Sequence, residues 1–387
     1  MPVGETKSGR DTPTVDAASK PAASNLHVAR SGKRIHISHA QAKGRTMAME
    51  TTNRSLLWAA GGLAALWAAR ALWRRATAYS FRDKVVLITG GARGFGLVLA
   101  RRFAAEGAKV AFCARDQAEL ERAEAEFRQK GIEVLAIPCD ITQQDEVKRM
   151  VDDVLGFRGR IDVLVNNAGV IQTGPVEEMT QTDFREAMNI HFWGSFNATQ
   201  AVLPAMRAQG GGRIVNITSI GGKLSVPHLL PYCASKFAQV GFSEGLRAEL
   251  AKDGIVVTTV CPGLMRTGSP RNAKFKGQHR AEYAWFSIGD SLPIVSISAE
   301  SAARKVLNAC RHGDAELIYT LPARFGAKFH GVFPGLTADL LGLVSRLLPG
   351  PGGIGSRAAK GKESTSRWSP SLLTVLSERA AARNNEL

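Results

Sequence analysis

Cysteine is scarce: Cys113, Cys139, Cys233, Cys261 and Cys310 are the only five in 387 residues. No two form a CxxC and none repeat a paired spacing, which argues against a metal site and for reduced thiols facing the cytosol. Acidic residues are outnumbered 34 to 50, leaving a formal charge of +16. Such an excess could answer to nucleic acid, a membrane surface or acidic ligands. Much of it, however, sits in terminal runs such as "SGKR", "WRR" and "SRAAKGKE". No basic stretch is interleaved with aromatics in the manner of a single-strand reader, so nucleic acid is not the expected partner. The apolar share of 44% suffices for one large α/β domain with appendages, or for two smaller domains.

Residues 1–54 lack apolar periodicity and read as disordered, with Met47 and Met49 offering later start points. Then comes "SLLWAAGGLAALWAARALW", apolar except for Arg70. As a helix, Leu56 to Trp73 would span about 27 Å, close to a hydrocarbon core of about 30 Å. Arg70 can snorkel toward headgroups, and Trp58, Trp67 and Trp73 suit an interface. Residues 55–75 are therefore expected to form a membrane anchor. Two other readings stay open: a secretory signal, disfavoured by Arg74 and Arg75 before the "ATA" site, and a surface-lying helix. Positive charge flanks both ends, so the orientation, catalytic domain toward the cytoplasm, is only weakly set.

From Lys84 short β-branched runs alternate with amphipathic helical stretches: "KVVLITG", "FGLVLARRFAAEG", "AKVAFCAR", "DQAELERAEAEFRQKG", "EVLAIPCD" and onward to "AELIYT". This alternation predicts an α/β fold, a doubly wound parallel sheet with helices on both faces. Residues 331–350, "GVFPGLTADLLGLVSRLLPG", are apolar at helical spacing but broken by Pro334 and Asp339. They are expected to pack on the domain or lie on a bilayer. From Pro351 a flexible basic stretch is expected, with a short helix at "SLLTVLSERAAA".

"TGGARGFG", residues 89–96, joins the first strand to the first helix. Gly90, Gly94 and Gly96 let the backbone approach a pyrophosphate, and the helix N-terminus offers free N–H groups. The spacing is G-x-x-x-G-x-G, not the general G-x-G-x-x-G. A carboxylate that would hold NAD ribose hydroxyls at the end of the second strand is missing; Ala114 and Arg115 stand there. With Arg93 in the loop, two cations and no acid favour NADP(H) over NAD(H), unless Arg115 simply faces solvent with Asp116.

"YCASK" places Tyr232 and Lys236 four residues apart, on one face of a helix. For acid–base work near neutrality, a phenol that ordinarily titrates near about 10 needs roughly 4 kcal/mol of preferential phenolate stabilisation. A lysine charge in a desolvated cleft could supply much of it.

Taken in order, "TGGARGFG" with its Phe95, "NNAG" (Asn166 to Gly169), Asn189 in "MNIHFWG", Ser219 thirteen residues before Tyr232, and "PGLMRT" with Pro262, Gly263 and Thr267 resemble the short-chain dehydrogenase/reductase family across about residues 82–322. The resemblance implies a single Rossmann-type catalytic domain over 82–322, with 323–387 as a C-terminal extension. It implies that Tyr232 is the acid or base at a carbonyl or alcohol oxygen, that Ser219 bonds the same oxygen, and that Lys236 binds the nicotinamide ribose and lowers the phenol pKa. Asn189 would hold a water linked to Lys236. Asp140 would contact adenine; Pro262, Gly263 and Thr267 would lie along the nicotinamide and diphosphate. Asn166 and Gly169 would either brace the sheet or touch the cofactor.

His191, His228 and Cys233 are left outside the catalytic set. By the same resemblance, Leu264 to Ile297 form a lid. Its Arg266, Arg271, Lys274 and Lys276, with Phe275, Tyr283, Trp285 and Phe286, suit an amphipathic or acidic substrate or a solvated loop. The expected function is NADP(H)-dependent interconversion of a carbonyl and an alcohol on a small lipophilic substrate, in a homodimer or homotetramer. Rival readings are an NAD-dependent alcohol dehydrogenase and a catalytically idle nucleotide sensor.

Overall fold

The computed structural model describes residues 78–387 throughout and, before them, Trp58, Gly61, Gly62, Ala65, residues 67–70, Leu72, Arg74 and Ala76. The segment expected to be disordered, 1–54, and part of the expected anchor, 55–75, lie outside the described residues. Among the described residues no helix is long and apolar enough to cross a membrane.

Val85–Thr89 (β1) is apolar at four of its five positions, and all five are buried. A run covered on both sides suits the centre of a parallel sheet. The glycine loop turns it into Gly94–Ala105 (α1), and the alternation continues through Lys109–Ala114 (β2), Gln117–Gln129 (α2), Val134–Pro138 (β3), Gln144–Arg158 (α3) and Val163–Asn166 (β4). After the short Gln172–Thr173 (β5), Gln181–Met188 (α4) passes through a π-turn, Asn189–Trp193, into Gly194–Ala208 (α5). Gly212–Ile217 (β6), Leu230–Leu250 (α6) and Ile255–Pro262 (β7) follow. Leu264–Arg266 (β8), Lys274–Phe275 (β9), His279–Ser291 (α7) and Ser296–Ser298 (β10) lead to Ala299–His312 (α8) and Glu316–Tyr319 (β11).

Seven strands make one parallel sheet in the order β3-β2-β1-β4-β6-β7-β11. Period-2 alternation feeds two cores. Val86 and Ile88 pack with α1, α2 and α8 on one face; Val85 and Leu87 pack with α3, α5 and α6 on the other. Each fully buried aliphatic side chain contributes about 1.5–3 kcal/mol. Strand order reverses between β1 and β4, where an open α/β sheet leaves a crevice beyond the strands' carboxyl ends.

The C-terminal region departs from expectation. Leu321–Val332 (α9) and Pro334–Ser345 (α10) divide the apolar stretch in two, and each buries a single residue, Ala323 and Thr337 respectively. Ala323 packs against Gly263 and Gly326 faces Leu224, while Phe325, Val332, Leu336, Leu340, Leu343 and Leu347 are exposed. The stretch expected to be flexible from Pro351 folds back instead. Ala359–Lys360 (β12) pairs antiparallel with β9, and Val375–Arg383 (α11) buries Ala380 and Ala381. Gly268, at φ +94°, makes room: a Cβ there would lie 2.3 Å from the Ala381 Cα. Arg271 and Glu378 pair at 2.6 Å across this contact.

Candidate active site

A cleft of about 530 Å³ opens at the crevice predicted by the strand order. Its floor is the glycine loop. A Cβ on Gly96 would lie 2.0 Å from the Gly90 carbonyl oxygen, so only glycine lets α1 start this close to β1. Gly94 holds φ +54° and presents bare backbone to the cleft beside Gly90, Arg93 and Phe95. The first N–H groups of α1 have no partner within the helix and carry its positive dipole end, a seat for a phosphate. Asp140, Gly169, Pro262 and Gly263 line the walls. Bare glycine backbone, a helix start and room for a long ligand fit a dinucleotide.

Ser219, Tyr232 and Lys236 line the same cleft. The Ser219 hydroxyl accepts from the Gly221 N–H at 3.0 Å. Burial pushes the Tyr232 phenol up to about 12, with the Ser219 hydroxyl working against it. Burial pulls the Lys236 amine down to about 7, so near neutrality it is part-charged. Its Nζ donates to the Ile217 carbonyl at 3.0 Å and to Gln239 Oε1 at 2.9 Å, and stands 5.8 Å from the tyrosine ring centroid.

Asn189 is a correction. It is exposed and stands outside the cleft; the π-turn, with its extra residue, brings His191 inward instead. His191 is fully buried and lines the cleft, its ring edge-on to Tyr232 at 5.4 Å between centroids. Its carbonyl accepts from Ser195, whose oxygen accepts in turn from Gln239, the partner of Lys236. Burial and the nearby Lys236 charge hold the imidazole well below its usual range, hence neutral.

Other expected cofactor residues are tied up elsewhere. Asn166 donates to Thr199 and Asn216 and braces β4 against β6; Thr267 is buried, its hydroxyl on Ser269. Neither they nor Gly96 line the cleft. Asn167 was missed: its amide donates to the Thr89 and Gly90 carbonyls and holds the loop open. His228 pairs with Glu282 at 2.8 Å and is not a cleft residue, and Cys233 is buried. The lid cations are likewise engaged: Arg266 on Ser296, Arg271 on Glu378, Lys274 on Glu186, Lys276 on Asp183. They are not free to draw an acidic substrate. Beside Tyr232, Phe275, Tyr283 and Phe286 form an aromatic cluster.

Residues 84–276 match the family model described as short chain dehydrogenase. The chain is similar to dehydrogenase/reductase SDR family member 7B of Danio rerio, 36% identical over 221 residues, which cover 56% of this chain and 72% of that one. Among solved structures it resembles a short-chain dehydrogenase from Streptomyces avermitilis, 32% identical with a TM-score of 0.59, over 69% of this chain and 99% of that one. It also resembles the L-sorbose reductase of Gluconobacter frateurii complexed with NADPH and L-sorbose, 26% identical with a TM-score of 0.56, over 62% of this chain and 96% of that one. With its parallel sheet, glycine loop and serine–tyrosine–lysine cleft, the chain belongs to the short-chain dehydrogenase/reductase family, oxidoreductases that act on CH–OH or C=O groups with a nicotinamide dinucleotide.

Proposed function

We propose that this protein is an NADP(H)-dependent carbonyl reductase for a lipophilic ketone or aldehyde, working at a membrane surface. The observation that carries the chemistry is the meeting of the Tyr232 phenol, the Ser219 hydroxyl and the Lys236 amine in one cleft with the glycine loop. A bound nicotinamide supplies the hydride. Ser219 and Tyr232 both address the substrate oxygen, where negative charge grows and fixed donors stabilise it. Tyr232, whose phenol burial pushes up to about 12, holds its proton near neutrality and is placed to give it to that oxygen in reduction. Lys236 holds the ribose, and its link through Gln239 and Ser195 to the His191 carbonyl fixes where the amine stands.

The choice of NADP(H) is supported by Ala114 at the end of β2, where no carboxylate stands, and by Arg93 and Arg115 on the cleft. Arg115, 62% exposed at the side chain and 3.9 Å from Asp140, is free to close on a 2′-phosphate. Arg93 is more committed, at 3.2 Å from Glu119. The NADPH-bound L-sorbose reductase is consistent with this choice. Lipophilicity of the substrate is supported by Val170, Ile171, Ile190 and Met265 on the cleft wall. Membrane contact is supported by the exposed apolar side chains of α9 and α10 and by the apolar composition of residues 55–75. Trp193 and Phe237, exposed on the α5 and α6 side, support a homodimer.

The test is NADPH and NADH binding by fluorescence, then turnover with a panel of hydrophobic and hydrophilic ketones. The reading expects NADPH to bind at least tenfold tighter than NADH and turnover to rise with substrate apolarity. Tight binding with no turnover on any ketone would favour the sensor.

A further inference from the structure

The chain's last residues pack beside the groove just assigned to the dinucleotide, and Glu386 lines it. Asn384 is fully buried and Glu386 is 5% exposed, and each is held by several groups. The Gly94 N–H donates to the Asn384 carbonyl at 2.8 Å. The Asn384 amide donates to the Thr267 carbonyl at 3.1 Å, and Arg101 donates to its oxygen at 3.1 Å. The Asn385 amide donates to the Ala92 carbonyl at 2.9 Å and the Glu119 carbonyl at 3.0 Å, with Arg122 on its oxygen at 2.6 Å.

Glu386 completes the seat. One carboxylate oxygen accepts from Ser269 at 3.4 Å and the other from Asn272 at 2.5 Å, with Arg93 at 3.7 Å. The first of these oxygens lies where a Cβ on Gly94 would stand only 2.4 Å away. That glycine is bare so that a phosphate can come close; here a carboxylate has come close instead. Glu386 also borrows Arg93, one of the two cations proposed for the 2′-phosphate. Two phosphates and a carboxylate at one helix start repel, and the arginine cannot serve both fully.

We infer that the groove is also the binding site of the chain's own C-terminus, with Glu386 as an acidic tethered ligand that must leave before NADP(H) seats its phosphates. This rests on the groove being a dinucleotide site. A tether of this kind acts at high effective concentration, so even weak contacts compete with a free ligand. Without changing any residue of the hydride-transfer site, the tail sets how much cofactor is needed.

The test uses the intact chain, Glu386→Gln, and a chain ending at Arg383. NADPH affinity is measured by fluorescence, and release of the C-terminal residues by carboxypeptidase is followed by mass spectrometry with and without NADPH. The inference expects both variants to bind NADPH at least fivefold tighter than the intact chain, and NADPH to speed removal of Leu387 and Glu386. Glu386→Gln keeps every backbone contact of the tail, so a folding defect in the truncated chain does not decide the matter. Equal or weaker NADPH affinity in Glu386→Gln, or protection of the tail by NADPH, would overturn the inference and make the tail a latch over bound cofactor. If no variant bound any dinucleotide, the assignment of the groove itself would fall, and the competition with it.

Discussion

The Nδ1 atom of His191 lies 2.7 Å from the Ser235 hydroxyl, which donates to the Tyr232 carbonyl at 2.8 Å. Because Nε2 accepts from the Val170 N–H at 3.1 Å, the proton sits on Nδ1 and the imidazole donates to Ser235. One buried ring thereby ties the strand end after β4 to the first turn of α6, which carries Tyr232.

Replacing His191 by phenylalanine would leave the Val170 N–H and the Ser235 hydroxyl short of a partner, a cost of about 1–3 kcal/mol for each buried group. Urea denaturation should show that loss, and kcat should fall while the dissociation constant for NADPH stays put, since His191 positions Tyr232 rather than the dinucleotide. His191→Asn, which can still accept and donate, should recover most of both. Equal losses for the two variants would reduce His191 to a space-filling role.

Lys236 gives a pH signature. Its amine titrates at about 7 in the protein, charged below and neutral above. A dinucleotide favours the charged amine, so NADPH affinity should fall as pH rises through 7, by at most about tenfold per pH unit. In Lys236→Met the affinity should be lower and nearly level with pH. An unchanged slope in that variant would mean another group titrates.

Asp290 makes a separate stability prediction. It is buried in α7, accepts from the Met265 N–H and the Ser377 hydroxyl, and burial raises it to about 7. The folded form therefore holds a proton that the unfolded chain has released between about pH 4 and 7. Stability from this group is greatest at the acid end and declines as pH rises across that window, levelling above 7. Asp290→Asn keeps an oxygen for the Met265 N–H, meets the Ser377 hydroxyl with its amide as donor, and needs no proton. Its melting temperature relative to the parent should climb from pH 5 to 8, approaching a gain of about 4 kcal/mol at the most. A constant difference across that range would show that Asp290 does not titrate there.

The sheet and the glycine loop were legible because they are written locally. Runs such as "VVLIT", alternating with helical stretches, bury all five residues at the centre of a parallel sheet, and Tyr232 and Lys236 share a helix face by spacing alone. His191 was hidden because one extra residue in the π-turn shifts the inward face away from Asn189, and helical periodicity has no means of announcing that turn. The tail was hidden because its partners are far off in sequence: Asn385 and Ala92 are separated by 293 positions. Desolvation, which spacing alone does not show, acts on both members of the pair: it pushes the Tyr232 phenol up to about 12 and the Lys236 amine down to about 7.

Tyr232→Phe removes one hydroxyl from a half-buried side chain on the cleft wall and leaves the glycine loop untouched. Transfer of deuterium from 4-labelled NADPH to a hydrophobic ketone, followed by mass spectrometry, should drop about 10²–10⁴-fold in this variant, while NADPH binding stays within twofold of the parent. Undiminished deuterium transfer in Tyr232→Phe would contradict the assignment of the phenol as the proton donor.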